Sequence, residues 1–378
     1  MPLRGIKVVE MIGLAPGPVC GTILADFGAT VTVVHKIQPA LLDVMSNGKE
    51  MLSVNLKSRE GVEVVKKLCA SSDVLIDTYR PGVLEKIGLG PDVLMKENMR
   101  LIYARLSGYG QDGCFRDKPG HDINYTAISG LLSMLVRNGQ PPNPPINMLA
   151  DFAGGSVLTA LGIVIALFER TISGKGQIID ASLTEGTSYI GMWLFKTRCS
   201  PLFSQEPGKN FLDGGMACYN TYETKDGKFM AVGALEPLFY SNFIKGLELS
   251  EDIYNQQADQ DMCRQKFQEV FLTKTRDEWT AIFDNLETCV TPVVDFSEVQ
   301  KHKCNSSRKS FYIDHNNTVL PEPAPKLLRT PPNASGKKFP PKHGEHTVEI
   351  LNKLGYSKDE IKKLLNKGCV YAMKKSNL

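Results

Sequence analysis

The first 110 residues alternate β-branched apolar runs with helix-like stretches, and that alternation restricts the chain to a parallel sheet covered by helices. Gly5–Met11 (GIKVVEM), Thr30–His35 (TVTVVH), Met51–Leu56, Asp73–Thr78 (DVLIDT) and Leu101–Leu106 (LIYARL) each read as a buried strand. Between them, Pro16-Gly17-Pro18 opens a helix to about Phe27, with proline near the first turn where its missing N–H costs little. Ser58 stands as N-cap of an amphipathic stretch reaching Cys69, and Pro81–Ile87 reads as helical. Gln177–Leu183 (QIIDASL) adds a further strand. The expected fold is α/β, with a Rossmann-like parallel sheet in a large domain.

The pattern then changes. Residues 107–124 form a glycine-rich loop, followed by apolar helical segments near Tyr125–Val136 and Phe152–Arg170. Lys225-Asp226-Gly227 between Cys218–Glu223 and Lys228–Gly233 is a hairpin signal. Helical segments near Pro237–Leu247 and Arg276–Leu286 follow it. The expected organisation is a large domain over 1–185, a linker over 186–217, a smaller α+β domain over 218–320, and a C-terminal segment over 321–378 that returns to the large domain. Helices are expected there near His346–Leu354 and Lys358–Asn366.

Several function classes fall away. The charge is nearly balanced at +3, so nothing supplies the bulk positive field that a nucleic-acid partner needs. Nine cysteines include no CxxC pair, which removes the common zinc and redox signatures. Their odd number, with no signal peptide ahead of them, reads as reduced thiols in an intracellular compartment. The longest apolar run, Val157–Phe168, is shorter than the ~20 residues of a bilayer span and reads as a core helix. The first βα turn, Met11-Ile12-Gly13-Leu14-Ala15-Pro16-Gly17, is not G-x-G-x-x-G, and the second strand ends at His35 rather than an acid. Both markers of a nicotinamide-dependent dehydrogenase are therefore missing.

Three acid–base candidates remain. His121 lies in Pro119-Gly120-His121-Asp122-Ile123-Asn124-Tyr125, a glycine-bounded loop running into a helix, whose N-terminal N–H groups suit an oxyanion. The same segment also fits a plain capping cluster with Asp122 or Asn124 as N-cap. Asp151, in Met148-Leu149-Ala150-Asp151-Phe152-Ala153-Gly154-Gly155, is a lone acid among apolar and small residues, where desolvation raises a carboxyl pKa. An N-cap is its alternative role. Glu236, in Val232-Gly233-Ala234-Leu235-Glu236-Pro237, fits dipole compensation at a helix start.

Taken together, the segments Leu14–Pro18 (LAPGP), Leu24–Ala29 (LADFGA), Arg80–Val83 (RPGV), Leu101–Gly110 (LIYARLSGYG), Gly120–Tyr125 (GHDINY), Leu149–Gly155 (LADFAGG), Gly174–Gln177 (GKGQ), Leu212–Gly215 (LDGG) and Gly233–Pro237 (GALEP) resemble the class III CoA-transferase superfamily nearly end to end. Within it, the histidine of GHDINY marks the α-methylacyl-CoA racemase branch. The resemblance implies an interlocked homodimer with the site between the large domain of one chain and the small domain of the other. It implies a racemase or epimerase of (2R)- and (2S)-2-methylacyl-CoA thioesters, with His121 and Asp151 as the catalytic pair and Glu236 orienting the histidine. The alternative it leaves is a CoA-transferase in which Asp151 accepts the acyl group.

For the CoA moiety the resemblance implies Lys36, Val54, Asn55, Leu56, Lys57 and Arg80, with Gly120, His121, Asp122, Ile123, Asn124 and Tyr125. Val33, Ile37 and Glu50 stand where relatives carry arginine, proline and arginine, so fewer phosphate contacts are expected there. Met192 and Met216 are candidates for the acyl surface. No metal and no organic cofactor is implied, CoA being part of the substrate. The C-terminal Ser376-Asn377-Leu378 is close to a peroxisomal address, which implies the peroxisomal import receptor as partner and a peroxisome, with mitochondrion as second compartment.

Overall fold

The β-branched runs form strands because their stiff side chains pack well on a pleated surface. In the computed structural model, which describes residues 1–38, 44–137 and 139–373, the first of them is β1 (Lys7–Met11). It leads through α1 (Pro16–Asp26) to β2 (Thr30–His35) and β3 (Glu50–Val54). Next come α2 (Arg59–Ala70) and β4 (Val74–Asp77). Two short helices, α3 (Val83–Lys86) and α4 (Pro91–Glu97), precede β5 (Ile102–Ser107). The Ser58 hydroxyl caps α2 by accepting the Gly61 N–H at 3.1 Å.

Past the loop, α5 (Asp122–Ile128) and a ten-residue π-helical segment, Met148–Val157, come before α6 (Leu158–Ser173). The sheet is completed by β6 (Ile178–Ser182), followed by α7 (Leu183–Ile190). Its spatial order is Val370–Tyr371, β3, β2, β1, β4, β5, β6, all parallel except the terminal strand. The order reverses between β1 and β4, and at such a switch point the loops beyond the strand ends separate and leave a crevice.

The chain divides into two compact units. One holds 1–129, 146–190 and 305–378, the other 130–145 and 191–304. The stretch beyond 305 groups with the sheet because it is tied there. The Asp26 carboxylate accepts the Ser335 N–H at 2.7 Å, and Thr347 Oγ1 accepts the Ser53 N–H at 3.1 Å. Helices Thr347–Lys353 and Lys358–Asn366 bring Ile350, Leu351, Ile361 and Leu364 into the core beside β3 and α2. The tripeptide Ser376-Asn377-Leu378 lies outside the described residues.

The second unit contains the expected hairpin, Tyr219–Glu223 against Phe229–Gly233, joined by Val290–Pro292. Helices Pro237–Gly246, Gln260–Phe271 and Arg276–Phe283 cover it. Its core is aromatic: Phe243, Phe267, Phe271 and Trp279 are all fully buried.

One expectation is corrected. The π-helical segment and α6 run on without a break, so the apolar helix spans Met148–Ser173, 26 residues, long and apolar enough by length and composition to cross a bilayer. It serves here as a core helix, burying Thr159, Ala160, Ile163, Ala166 and Leu167 against the sheet. Its other face is exposed and apolar, with Leu161, Val164, Ile165, Phe168 and Ile172 all open to solvent.

Candidate active site

The crevice at the switch point is a cavity of about 530 Å³. Leu14, Pro16 and Gly17 from the loop after β1 line it, with Thr78, Tyr79, Arg80 and Pro81 from the turn after β4. Ser107–Tyr109, at the end of β5, form a third wall, and His121, Asn124, Tyr125 and Asp151 complete it.

His121 occupies the N-cap position of α5 with extended backbone angles. Asn124 Oδ1 accepts the His121 N–H at 3.0 Å, so the helix end is closed from inside. The Tyr125 hydroxyl donates to the Gly120 carbonyl at 2.5 Å, fixing the turn just ahead of the histidine. Burial pushes that phenol up to about 12, so it stays a donor at neutral pH. A Cβ on Gly120 would lie 2.7 Å from the Tyr125 ring, which leaves room for glycine alone.

Asp151 sits in the first turn of the π-helical segment. Burial holds its carboxyl above the usual range, with the Asp122 charge adding to the effect, while the Asn147 side chain and His121 pull it back. Ser156 Oγ lies 2.9 Å from the Asp151 carbonyl and 2.8 Å from that of Pro16, tying the segment to α1. The widened turn also lets α7 approach closely. A Cβ on Gly186 would fall 2.0 Å from the Gly154 carbonyl oxygen, so neither position has space for a side chain.

The joint between the two candidate groups is Asp122, offered by the sequence as an N-cap but standing one residue inside α5, since His121 holds the N-cap position. Only 3% exposed, it accepts the N–H of Ala150 at 2.7 Å and of Asp151 at 2.8 Å. Thr126 Oγ1 donates to its other oxygen at 3.2 Å. One carboxylate on the first residue of α5 thus holds the start of the segment that carries Asp151. Asn147 was missed, since nothing in a polar residue ahead of an apolar run marks it as a carboxylate partner.

The remaining candidates are distributed as follows. Arg80, Gly120, His121, Asn124, Tyr125 and Asp151 share the cavity lining, while Asp122 lies behind it and Ile123 is exposed on α5. Val54, Asn55, Leu56 and Lys57 end β3 and turn into α2, outside that lining, and Asn55 Oδ1 accepts the Lys57 N–H at 3.0 Å. Lys36 is exposed just after β2. Glu236, in the second unit, is the N-cap residue of Pro237–Gly246. Met192 and Met216 also belong to that unit, the former 47% exposed and the latter packed against its core. Among the described residues no group of three or more His, Cys, Asp or Glu is arranged to hold a metal ion.

The arrangement places an imidazole and a raised carboxyl on one cavity, a pair suited to proton transfer on a small carbon acid. Residues 3–347 match the CoA-transferase family III. The chain is 50% identical over 367 residues to the α-methylacyl-CoA racemase of Mus musculus, covering 96% of each chain. It is 51% identical over 369 residues to that of Homo sapiens, again with 96% of each covered. In fold it resembles a CAIB/BAIF family protein from Brucella suis, with a TM-score of 0.80 at 22% identity over 94% of this chain and 99% of that one. By sequence along nearly its whole length, the chain belongs to the CoA-transferase family III.

Proposed function

We propose that the chain interconverts (2R)- and (2S)-2-methylacyl-CoA thioesters by removing the α-proton and returning it on the opposite face of a planar enolate. The observation that carries this reading is the placement of His121 and Asp151 on one cavity, in a chain half identical to two proteins named as racemases of this substrate class. The α-proton of a thioester is weakly acidic, so its removal needs a positioned base and a stabilised enolate oxygen. His121 and Asp151 are base and acid in one direction and exchange roles in the other, each such contribution being worth ~10²–10⁴-fold. Burial raises the carboxyl of Asp151 above its ordinary range, which favours the protonated form its acid role needs. The N–H of Asp122, in the first turn of α5 where no carbonyl within the helix can accept it, is the donor to the enolate oxygen.

Proton transfer alone accomplishes the inversion, so the reading calls for no metal or organic cofactor beyond the CoA of the substrate. Lys36, Lys57 and Arg80 hold its phosphates. A second copy of the chain completes the site with Glu236, which orients His121, and covers the apolar stripe Leu161–Ile172 on α6. The C-terminal Ser376-Asn377-Leu378 directs the protein to the peroxisome through its import receptor, with mitochondrion as the second location.

The test is conversion of one pure 2-methylacyl-CoA stereoisomer in deuterated water. Inversion with deuterium gained at C2 is expected, and inversion without label would overturn the mechanism. His121→Ala and Asp151→Ala are each expected to abolish inversion in both directions, while each still exchanges the α-proton of the one epimer that its remaining group deprotonates. A second reading follows the family's other activity. Asp151 attacks the thioester carbonyl to form a mixed anhydride and release the CoA thiolate. The thiolate attacks the aspartyl carbonyl to release the first acid and leave an aspartyl-CoA thioester, and a second carboxylate takes up the CoA by the same two steps in reverse. Transfer of CoA to a second carboxylic acid, with no inversion, would select it.

A further inference from the structure

An acid and a lysine are buried together where the sheet meets α1. Strand side chains alternate between faces, so Glu10 shares a face of β1 with Val8, which packs there with Cys20 and Leu24 of α1. Glu10 is 1% exposed. Lys49, the residue before β3, brings Nζ to within 2.8 Å of its carboxylate, with a side chain fully shielded from solvent. The same Nζ donates to the Pro18 carbonyl in the first turn of α1 at 2.9 Å, and Thr22 Oγ1 donates to that carbonyl at 2.9 Å. A Cβ on Gly21 would overlap the Glu10 carboxylate, so glycine lets α1 cross directly over the pair.

Such a pair adds little net stability, because taking both charges out of water offsets their attraction, but it demands one register of the elements that carry it. Here those elements lead to the acid–base cavity. Two residues ahead of Pro18, Pro16 lines that cavity together with Gly17. The fully buried Ser156 hydroxyl lies 2.8 Å from the Pro16 carbonyl and 2.9 Å from the Asp151 carbonyl. The turn that carries His121 is closed instead from within α5, by Asn124 and by the Tyr125 hydroxyl on Gly120.

We propose that Glu10 and Lys49 are a positioning pair for Asp151: they fix the first turn of α1, and Ser156 carries that register to the backbone of Asp151, while His121 is held independently. The proposal rests on the two-base reading of the site and assigns it residues that lie outside the cavity. Its consequence is one-sided. Loss of the pair disturbs proton transfer at Asp151 and spares proton transfer at His121.

The experiment compares the full chain with Ser156→Ala, which cuts the link and leaves the pair whole, and with Glu10→Gln/Lys49→Met, which removes the tie to Pro18 without leaving a lone buried charge. The combination of all three changes completes the set, and unfolding midpoints check that each variant folds. Each pure 2-methylacyl-CoA epimer is incubated in deuterated water, and inversion is followed separately from deuterium gain at C2 without inversion. A reacting group misplaced by about 1 Å costs up to ~10²-fold in rate. Inversion is expected to fall roughly ten- to a hundred-fold in kcat with little change in KM, while the epimer that His121 deprotonates still exchanges its α-proton at the parental rate. The combined variant is expected to be no slower than the slower of its two components, because both act along one path and their effects do not add. Parallel loss of inversion and of exchange from both epimers would show general loosening and overturn the positioning role. Parental inversion in either variant, or effects that multiply in the combination, would overturn it as well. A parent that neither inverts nor exchanges either epimer would overturn the two-base reading and the positioning role together, whereas an inverting parent matched by its variants would overturn the positioning role alone.

Discussion

The carboxylate of Asp122 accepts the N–H of Asp151 at 2.8 Å and so joins the residue after His121 to the other half of the proposed acid–base pair. This is a positioning contact. The buried acid keeps two first-turn N–H groups of the π-helical segment satisfied and sets where that segment begins relative to α5. A charge-assisted hydrogen bond contributes about 1.5–3 kcal/mol, and a donor left buried without a partner adds to the loss. Asp122→Ala is expected to lower kcat ten- to a hundred-fold with a smaller change in KM, and to cost about 2–4 kcal/mol of stability. Asp122→Asn, which keeps one acceptor oxygen, is expected to fall between. Unchanged kcat in the alanine variant would remove the positioning role.

The raised carboxyl of Asp151 has a kinetic signature. For the stereoisomer that Asp151 deprotonates, the carboxylate must be ionised, so kcat/KM falls as pH drops through its pKa. That acidic limb is expected above the ordinary carboxylate value of ~4, because burial favours the neutral form. The Asn147 side chain stabilises the charged form, so Asn147→Ala is expected to move the limb to higher pH. Profiles of parent and variant that superimpose would exclude that contribution.

Much of the frame was legible because it is local. Thr30–His35 was read to the residue from its β-branched run, and Ser58 from its place ahead of an amphipathic stretch. The βα alternation was sufficient for the parallel sheet, whereas the crevice beyond β1 and β4 follows from a strand order the alternation does not fix. What stayed hidden depends on partners distant in sequence. Asp122 finds its acceptor role 28 and 29 residues away, and no local pattern distinguishes it from a dipole-compensating acid. The helix Gln260–Phe271 was missed because its apolar positions are sparse, although Asp259 caps it by accepting the Met262 N–H at 2.8 Å. The helix was read from Phe152, with Asp151 as a possible N-cap, and it begins at Met148; Gly154 and Gly155, inside it, admit α7.

Glu50 shows how a departure from relatives is absorbed. Its carboxylate pairs with Lys353 at 3.1 Å and accepts from Thr32 Oγ1 at 3.2 Å, so it is engaged with the returning C-terminal helix. Val33, the companion departure, is a core residue of β2 at 2% exposure. Placing arginine at position 50 sets two cations side by side and removes a half-exposed ion pair worth at most about 1 kcal/mol. Glu50→Arg is therefore expected to lower stability by roughly 0.5–1 kcal/mol. Restoration by Lys353→Glu in the same chain, measured by urea unfolding, checks that the pair is responsible.

Asp77 links the stability of the sheet to pH. It ends β4 with 2% exposure, accepts the Tyr79 N–H at 3.0 Å, and lies 3.8 Å from Arg105, directly under the turn that carries Arg80. Burial raises its carboxyl to about 6, outweighing the Tyr79 hydrogen bond and the Arg105 charge. Since the folded value lies above the unfolded one, the native state holds a proton that the unfolded chain has released between pH ~4 and ~6. Stability contributed by the protonated form is thus present below the unfolded pKa and is lost as pH rises toward the folded one. At 1.36 kcal/mol per unit the loss is about 3 kcal/mol at most. Asp77→Asn keeps the acceptor for Tyr79 without the charge. It is expected to be more stable than the parent by roughly 1–3 kcal/mol at pH 7.5, and to show no such gain at pH 4. Urea unfolding at the two pH values checks this, and an equal difference at both would show that the buried carboxyl does not titrate in this range.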